Sequence, residues 1–240
     1  MMGSGLELLA WDTGWLGFPV ARLADAPLCA PVDVAGAVAQ CRAAGVRLLY
    51  LVLDPANTAA ASVACAVGAH LADVKLIYEL PLAAPGPLAT PPDGVRLVAT
   101  TVLTPALERL AWQSGEYSRF RTDERFGPRA FKELYSRWLR QALEQGIVWT
   151  ALEEDGEAVG LLAYGLRGGQ ASIELVAVAA SAQRRRIGRC LVQAAQDEAQ
   201  RRGHAALQVV TQGANVPARK FYERCGFQLK RTEHVYHLWL

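Results

Sequence analysis

An arginine cluster at the predicted start of a helix is the strongest chemical signal in the sequence. Arg184, Arg185, Arg186 and Arg189 follow an apolar strand, and apolar residues from Ile187 onward recur at helical spacing. Cations at the start of a helix oppose its dipole, whereas the free backbone N–H groups there bind phosphate. A solvated charged face without a ligand is the alternative, and the dipole argument favours an anion site.

A tyrosine on the next predicted helix is the candidate proton donor beside this anion site. A second apolar strand follows the first helix, and a helix that begins at Asn215 then carries Tyr222. Its neighbour Phe221 suits the core, and Tyr222 points about 100° away from it around the helix. A core tyrosine is the alternative. The order of these elements predicts a site for a phosphate-bearing cofactor next to an acid.

The composition is that of a folded protein with a sizeable core, because 52% of the 240 residues are hydrophobic and 20% are charged. The net charge of +2 gives no general attraction for nucleic acid. Five cysteines at irregular spacing, without a CxxC pair, argue against a disulfide framework or a zinc site. We expect reduced thiols, no metal and a cytoplasmic location. Neither a signal peptide nor a membrane span is predicted.

Proline and glycine divide the chain into two predicted domains. Residues 81–94 read PLAAPGPLATPPDG, a composition that predicts a linker. We therefore expect a smaller N-terminal α/β domain over residues 1–80 and a larger domain over residues 95–240. The stretch Trp11 to Val20 and the stretch Gly115 to Gly127 are both expected to be loops. A long helix with one apolar stripe is predicted around Trp138.

The two predicted domains share an internal repeat. Shifting the chain by 158 residues without gaps pairs a helix-stop Gly, a buried strand, an Asn cap, a helix, a Gly and a strand with the same features. The identical pairs are Gly45 with Gly203, Leu49 with Leu207, Val52 with Val210, Ala56 with Ala214, Asn57 with Asn215, Ala60 with Ala218, Gly68 with Gly226, Leu71 with Leu229, Tyr78 with Tyr236 and Leu80 with Leu238. Chance matches of abundant Ala and Leu are the alternative. The arginine cluster meets Ala26 to Pro31, and Tyr222 meets Ala64, so we interpret the first copy as one that kept the scaffold and lost the site.

The segment SIELVAVAASAQRRRIGRCLV resembles the acetyl-CoA-binding segment of the GNAT superfamily of N-acetyltransferases. In that family a strand is followed by a [Q/R]-x-x-G-x-[G/A] loop that cradles the CoA pyrophosphate. Gln183 and Gly188 match the loop, and Arg186 stands in place of its first glycine. The resemblance covers roughly Val95 to Leu240. It implies an α/β (α+β) GNAT fold with a mixed, mostly antiparallel central sheet, preceded here by a smaller, degenerate GNAT-like N-terminal domain.

The same resemblance implies roles for the site residues. It assigns acetyl-CoA binding to Val176, Val178, Gln183, Arg184, Arg185, Arg186, Ile187, Gly188, Arg189 and Asn215. Strand amides near Val176 and Val178 would hold the pantetheine and polarise the thioester carbonyl. Tyr222 would be the general acid that protonates the departing CoA thiolate. Glu174 would take the amine proton or, with similar weight, pair with an arginine. Asn215 binds the cofactor or caps its helix, a function that Asn57 would share.

A narrower resemblance points to an acceptor. The segments LAWDTGWLGFPVARL, SRFRTDERFGPRAFKELYSRWL and LQVVTQGANVPARKFYERCGF are similar to parts of the bacterial dTDP-fucosamine (dTDP-4-amino-4,6-dideoxygalactose) acetyltransferases. That family acetylates a nucleotide-linked amino sugar in polysaccharide biosynthesis. The resemblance implies acceptor binding by Ser118, Arg119, Phe120 and Arg121, because arginine forks suit a diphosphate and aromatic rings suit a base or sugar.

Two alternatives stay open on the sequence. A GNAT acetyltransferase could act on another small amine or on a protein N-terminus, and a non-catalytic CoA-binding module would agree with Arg186 at the glycine position. The expected partner is a small-molecule amine, and a homodimer is left open. Partners of the nucleic-acid and membrane classes are not expected.

Overall fold

Ten β-strands and eight α-helices follow one another through residues 5–24, 33–82 and 90–240, which are the residues that the computed structural model describes. The strands are β1 (Leu6–Leu8), β2 (Val20–Ala24), β3 (Leu48–Leu53), β4 (His70–Pro81), β5 (Val95–Thr100), β6 (Ile147–Glu153), β7 (Ala158–Arg167), β8 (Gln170–Val178), β9 (Ala206–Gln212) and β10 (Gln228–Trp239). The helices are α1 (Ala10–Leu16), α2 (Val34–Ala43), α3 (Thr58–Ala66), α4 (Pro105–Ser114), α5 (Arg119–Thr122), α6 (Gly127–Gln145), α7 (Ile187–Arg201) and α8 (Val216–Arg224). Across these ranges, every helix is too short or too polar to cross a membrane.

The described residues form two compact units that are interleaved along the chain. Unit 1 holds the residues up to Leu76 together with Gln212–Ala214 and Arg231–Leu240. Unit 2 holds Ile77–Thr211 and Asn215–Lys230. Strands β4 and β10 therefore each begin in one unit and end in the other. Of the predicted linker, residues 83–89 lie outside the described part of the chain.

The central strand of unit 1 is β3, an apolar strand that pairs with a neighbour on each side. β3 pairs in parallel with β2 and antiparallel with the second half of β10, and β2 pairs antiparallel with β1. The prediction of a loop at Trp11 to Val20 is wrong over its first half, where α1 forms. This helix ends because Gly17 takes a φ of 75°, which lets its N–H donate to the Thr13 carbonyl at 3.0 Å.

Unit 2 contains a sheet in which β5, β6, β7 and β8 pair antiparallel in chain order and β8 pairs in parallel with β9. The predicted long helix is confirmed as α6, whose buried stripe covers this sheet. The buried residues of α6 are Phe131, Leu134, Tyr135, Ser136, Leu139, Ala142 and Leu143. The predicted mixed, mostly antiparallel sheet is confirmed by these pairings.

The predicted repeat is confirmed from β3 onward. A shift of 158 residues places α3 on α8 and β4 on β10 with identical ends. Asn57 and Asn215 both have φ −82° and ψ 67°, and each side chain accepts a hydrogen bond at 3.1 Å from the N–H three residues later. Gly68 and Gly226 follow with φ of 96° and 92°. The two copies therefore use the same cap and the same left-handed stop.

The ungapped shift still aligns the ends of α2 and α7, Ala43 with Arg201, but it fails at the strands that precede these helices. Val20 in β2 lies opposite Leu48, 28 positions later, whereas Ala171 in β8 lies opposite Leu207, 36 positions later. The second copy therefore has eight more residues between the paired positions of its two parallel strands, a segment that includes the longer helix α7. The arginine cluster lies in this longer connection, and its predicted counterpart, Ala26 to Pro31, lies outside the described residues.

Candidate active site

A cavity of about 710 Å³ lies in unit 2 where β8, α7 and α8 meet the end of α4. The backbone from Val176 to Val178 forms one wall, and the turn that begins at Gln183 forms the next. Of the residues predicted for cofactor binding, all but Arg185 line this cavity. Sequence elements far apart in the chain therefore meet at one concave surface, as a site for a small molecule requires.

Five cations line the cavity, namely Arg184, Arg186, Arg189, Lys220 and Arg224. None of the five forms an ion pair with a carboxylate within the part of the chain that the structure describes. The fourth predicted arginine differs, because the Arg185 guanidinium pairs with Glu153 at the end of β6. Positive charge without a protein counter-ion favours an anionic ligand in this cavity.

The turn before α7 has an unusual backbone. Arg184 and Arg186 have φ of 63° and 68°, and they are the two non-glycine residues in this left-handed region among the described residues. Such angles are disfavoured for side chains with a Cβ, and strain of this kind is concentrated at functional sites. Arg186 immediately precedes the first turn of α7. The turn thus combines side-chain cations with the free N–H groups of a helix start.

Gly188 in the first turn of α7 allows close packing against α8. A Cβ at this position would lie 3.2 Å from Cζ of Phe221, which belongs to α8. The absence of a side chain lets the two helices approach each other at the cavity. The predicted glycine of the loop is therefore explained by helix packing as well as by access to the backbone.

The wall formed by β8 leaves a strand edge facing the cavity. Parallel pairing with β9 ends at Ile173 and Val209, although β8 continues to Val178. The carbonyl of Val178 accepts hydrogen bonds from Nε2 of Gln113 at 2.8 Å and from Nε2 of Gln183 at 3.2 Å. These two amides fix the end of the strand edge, whose remaining backbone groups can bind a ligand.

Tyr222 lies on α8 and combines deep burial with access to the cavity. The residue is 4% exposed and is packed between the rings of Phe221 and Phe227, with centroids at 5.3 and 5.7 Å. Burial, with a smaller contribution from Cys225, raises the pKa of the Tyr222 phenol well above its usual range. The phenol therefore keeps its proton at neutral pH and can donate it to a group in the cavity.

Asn215 caps its helix as predicted, and it lies where the predicted cofactor contact could also form. Its side chain accepts a hydrogen bond from the N–H of Ala218 and so caps α8, and the residue also lines the cavity. A cap uses the oxygen of the amide and leaves the NH₂ group with two donors.

Glu174 lies apart from the other predicted residues. The register of β7 and β8 shifts at this point, since Ala163 pairs with Leu175 and Tyr164 pairs with Ile173, so Glu174 is the extra residue of a β-bulge. Its carboxyl group lies over Gly165, where a Cβ would come within 2.7 Å of the carboxyl carbon. Desolvation raises the pKa of Glu174, although Arg167 acts against this. Glu174 does not line the cavity.

The predicted acceptor residues form a folded turn beside the cavity. Ser118 is buried and caps α5 by accepting from the N–H of Phe120 at 3.2 Å, and Phe120 is buried as well. The guanidinium groups of Arg119 and Arg121 lie over the rings of Phe120 and Phe131, at 4.5 and 5.8 Å. None of the four predicted residues lines the cavity.

Several lining residues were missed by the sequence reasoning. From the same loop, Glu116 and Tyr117 line the cavity, and Glu116 is the one carboxylate among its lining residues. On α8, Lys220 and Arg224 flank Tyr222 along the sequence. That spacing of one helical turn was a usable signal, because residues four apart lie on the same helix face.

Comparison with known proteins gives one family match and a set of similar folds. The sequence model of the acetyltransferase (GNAT) family matches residues 106–227, just over half of the chain. The spore coat polysaccharide biosynthesis protein SpsD of Bacillus subtilis (strain 168) is 28% identical over 137 residues, which are 57% of this chain and 47% of that protein. The chain thus spans about half the length of this curated relative.

Two solved structures illustrate the similarity of fold. A GCN5-related N-acetyltransferase from Sphaerobacter thermophilus has a TM-score of 0.62 at 17% identity, over 98% of this chain and 76% of that one. A tandem GNAT protein from the clavulanic acid biosynthesis pathway has a TM-score of 0.61 at 18% identity, over 93% of this chain and 76% of that one. At these identities the similarity concerns the fold, and it extends over both units.

Proposed function

Because this chain belongs to the acetyltransferase (GNAT) family, we propose that it transfers the acetyl group of acetyl-CoA to an amine in the cavity of unit 2. One observation carries the proposal. Five cations without carboxylate partners among the described residues share this cavity with a buried, protonated tyrosine. That combination suits a phosphate-bearing substrate whose reaction releases a basic leaving group.

We also retain the division into residues 1–80, 81–94 and 95–240 as a proposal.

The chain's own residues would hold acetyl-CoA at two places. Arg184, Arg186 and Arg189 would neutralise its phosphates together with the N–H groups at the start of α7. The free edge of β8 near Val176 would hold the pantetheine and polarise the carbonyl of the thioester that acetyl-CoA supplies. In this proposal Arg185 acts by ordering the turn through its ion pair.

Tyr222 would hold the proton that the departing sulfur takes. When the acceptor nitrogen forms its bond to the carbonyl carbon, the bond from carbon to sulfur breaks, and the phenol protonates the sulfur. The acceptor nitrogen loses its extra proton to water, and Glu174, which does not line the cavity, would accept it only through that water. A bulged, desolvated carboxyl such as Glu174 has a raised pKa and is thus a better base than an ordinary carboxylate.

For the acceptor we propose a nucleotide-linked amino sugar of the dTDP-4-amino-dideoxyhexose type. The relative in Bacillus subtilis is named for polysaccharide biosynthesis, which supports a sugar. Tyr117 is half exposed at the cavity and offers a ring to a sugar or base. Arg119 and Arg121 lie one turn further along the same loop and are proposed to bind the diphosphate.

A second candidate acceptor is a simple cationic amine. The observation in its favour is Glu116, whose carboxylate would attract an ammonium group into a cavity that is otherwise positive. This acceptor would need no arginine from the loop.

The test is to incubate the protein with acetyl-CoA and a panel of amines while following the release of free thiol. The panel contains a dTDP-linked 4-amino sugar, the same nucleotide sugar with a hydroxyl in place of the amine, and a polyamine. Thiol release with the amino sugar alone supports the proposal, and release with the polyamine alone supports the second candidate. If no amine in a broad panel releases thiol, the proposed activity is wrong.

The loop is tested by replacing Arg119 and Arg121 together with alanine. We expect KM for the nucleotide sugar to rise by about tenfold or more, since each charge-assisted contact contributes about 1.5–3 kcal/mol. KM for acetyl-CoA is the internal control and should stay unchanged. An unchanged KM for the nucleotide sugar would remove the loop from the acceptor site.

A further inference from the structure

A second tyrosine lies directly behind Tyr222 and is tied to the same helix. Tyr78 belongs to the part of β4 that lies in unit 2, and it is 1% exposed. Its ring centroid is 6.3 Å from that of Tyr222, with the two planes at 41°. The Tyr78 hydroxyl donates a hydrogen bond to Oε1 of Glu223 at 2.9 Å. Glu223 directly follows Tyr222 on α8, so one side chain of the strand contacts two consecutive residues of the helix.

We propose that Tyr78, held by Glu223, is a positioning residue that sets the orientation of the Tyr222 phenol in the cavity. This inference rests on the proposed function, in which Tyr222 donates the proton. The other ring neighbours, Phe221 and Phe227, limit the space around Tyr222 but have no polar group. The bond from Tyr78 to Glu223 is directional, because a hydrogen bond weakens steeply as its angle closes. The bond therefore fixes α8, together with the Tyr222 ring, against β4.

The chemistry of the pair is suited to a permanent contact. Burial raises the pKa of Tyr78, the carboxylate of Glu223 raises it further, and Arg219 acts in the opposite direction. The Tyr78 phenol thus remains a donor at neutral pH, and the carboxylate remains its acceptor. A hydrogen bond to a charged acceptor is stronger than one to a neutral acceptor, so we expect the contact between Tyr78 and Glu223 to persist during catalysis.

The internal repeat shows which residues around Tyr222 belong to the shared scaffold and which are found at the cavity alone. In unit 1, Tyr236 of β10 stands where Tyr78 of β4 stands in unit 2, and it is also buried. The position of Glu223 is held by Cys65, and that of Tyr222 by Ala64. The scaffold tyrosine is therefore present in both copies. The carboxylate partner accompanies the phenol of the cavity in the second copy, and both are missing in the first.

The experiment compares Tyr78→Phe, Tyr222→Phe and the double variant by kcat and by KM for acetyl-CoA. A misplaced donor loses much of its effect, so we expect Tyr78→Phe to lower kcat by about tenfold, within the range for small displacements of a catalytic group. KM for acetyl-CoA should change by less than about twofold, because the phosphate contacts are untouched. The double variant should be no slower than Tyr222→Phe, since the same proton transfer is lost in both.

Two further substitutions separate positioning from folding. Glu223→Gln keeps a carbonyl oxygen that can accept from Tyr78, and we expect kcat within about threefold of the parent because a neutral acceptor still forms the bond. Glu223→Ala removes the acceptor and should resemble Tyr78→Phe. Tyr236→Phe is the matched control, because it removes the equivalent hydroxyl from unit 1, and its kcat should equal that of the parent. Thermal unfolding of every variant reports on the fold.

The outcomes distinguish this inference from the function on which it rests. If Tyr222→Phe retains full kcat, the proton donor is wrong and the positioning role falls with it. If Tyr222→Phe is slow but Tyr78→Phe and Glu223→Ala are as fast as the parent, the positioning role alone is wrong. If the loss of kcat in the double variant equals the product of the two single losses, the positioning role is also wrong. Should Tyr78→Phe fail to fold, the difference between Glu223→Gln and Glu223→Ala decides the question.

Discussion

The two copies of the repeat have the same framework but differ in the connection that leads into it. In the first copy, the framework of β3, α3 and β4 is capped by Asn57, and in the second copy the framework of β9, α8 and β10 is capped by Asn215 with the same backbone angles. The second copy has eight more residues between the paired positions of its two parallel strands, and that segment includes two arginines with positive φ. The framework thus reflects what the fold requires, and the longer connection marks what a ligand requires.

The second difference lies on the helix itself. α3 is almost entirely small and apolar, whereas α8 has Lys220, Tyr222, Glu223 and Arg224 in the corresponding turns. Because helix ends and caps are preserved, these side chains are additions to a common scaffold. The comparison therefore assigns the charged and phenolic groups to function and the cap and glycines to folding. The predictions below test that assignment.

The largest effect is expected from removing the phenol that only the second copy has. Tyr222→Phe should lower kcat by at least about tenfold, since general acid catalysis contributes about 10²–10⁴-fold. KM for acetyl-CoA should change little, because the ring and its packing are retained. Steady-state kinetics of thiol release is the measurement, and Tyr236→Phe in unit 1 is the control. A full rate in Tyr222→Phe would place the proton donor elsewhere.

The next effect concerns the strained arginine that replaces the loop glycine. Arg186→Gly should relieve about 1–2 kcal/mol of backbone strain at φ 68° while removing one cation. We therefore expect higher stability in urea together with a severalfold higher KM for acetyl-CoA. Arg186→Ala removes the same charge without relieving the strain, so it should raise KM equally and gain no stability. Equal stability of the two variants would show that the turn is unstrained.

The framework could be predicted from the sequence because its signals are local. Asn57 and Asn215 before apolar helices, and glycines at fixed spacing after them, specify caps and stops by short-range physics. The anion site was also predicted, because an arginine cluster at a helix start opposes the dipole. The replacement of the loop glycine by Arg186 could be interpreted only from its φ angle of 68°, because a backbone angle cannot be read from the residue type.

The rest depended on contacts between distant segments. The helix α1 was missed because its sequence contains glycine and no side-chain cap, and its end is set by Gly17. The pairing of Arg185 with Glu153, 32 residues away, could not be read from spacing. Ser118 and Phe120 lie in a stretch predicted to be a loop, and no local signal showed that both are buried in the turn next to Glu116 and Tyr117. Tyr78 gave no signal, because its partners are more than 140 positions away.

The two cap residues offer a matched pair with a smaller effect. Asn57→Ala and Asn215→Ala remove the same 3.1 Å hydrogen bond, so each should destabilise the protein by about 1 kcal/mol. Only Asn215 lines the cavity, and only Asn215→Ala should therefore raise KM for acetyl-CoA. Urea denaturation and steady-state kinetics of both variants are the measurements. A higher KM in Asn57→Ala, or an unchanged KM in Asn215→Ala, would reduce Asn215 to a cap.

The smallest effect is a pH-dependent contribution to stability that α7, which precedes β9, makes and that α2, which precedes β3, does not. Glu198 in α7 is bonded to Arg201 and Arg202, whereas α2 has Gln40 and two alanines at the equivalent positions. Hydrogen bonding from Arg201, followed by that from Arg202, lowers the pKa of Glu198 below 4.5. A lowered pKa contributes stability that is present above the unfolded pKa and is lost as pH falls through the folded one.

Glu198→Gln should consequently cost no more than about 1 kcal/mol at pH 7, because solvent screens the largely exposed arginines. The cost should shrink as pH falls below about 4.5, where the carboxylate of the parent protein also becomes neutral. Urea denaturation between pH 3 and pH 7 measures the difference between parent and variant. Gln40→Glu is the reciprocal variant, and it should gain nothing at pH 7 because Ala43 and Ala44 provide no cation. A difference for Glu198→Gln that is constant across this range would mean that the amide disturbs packing rather than charge.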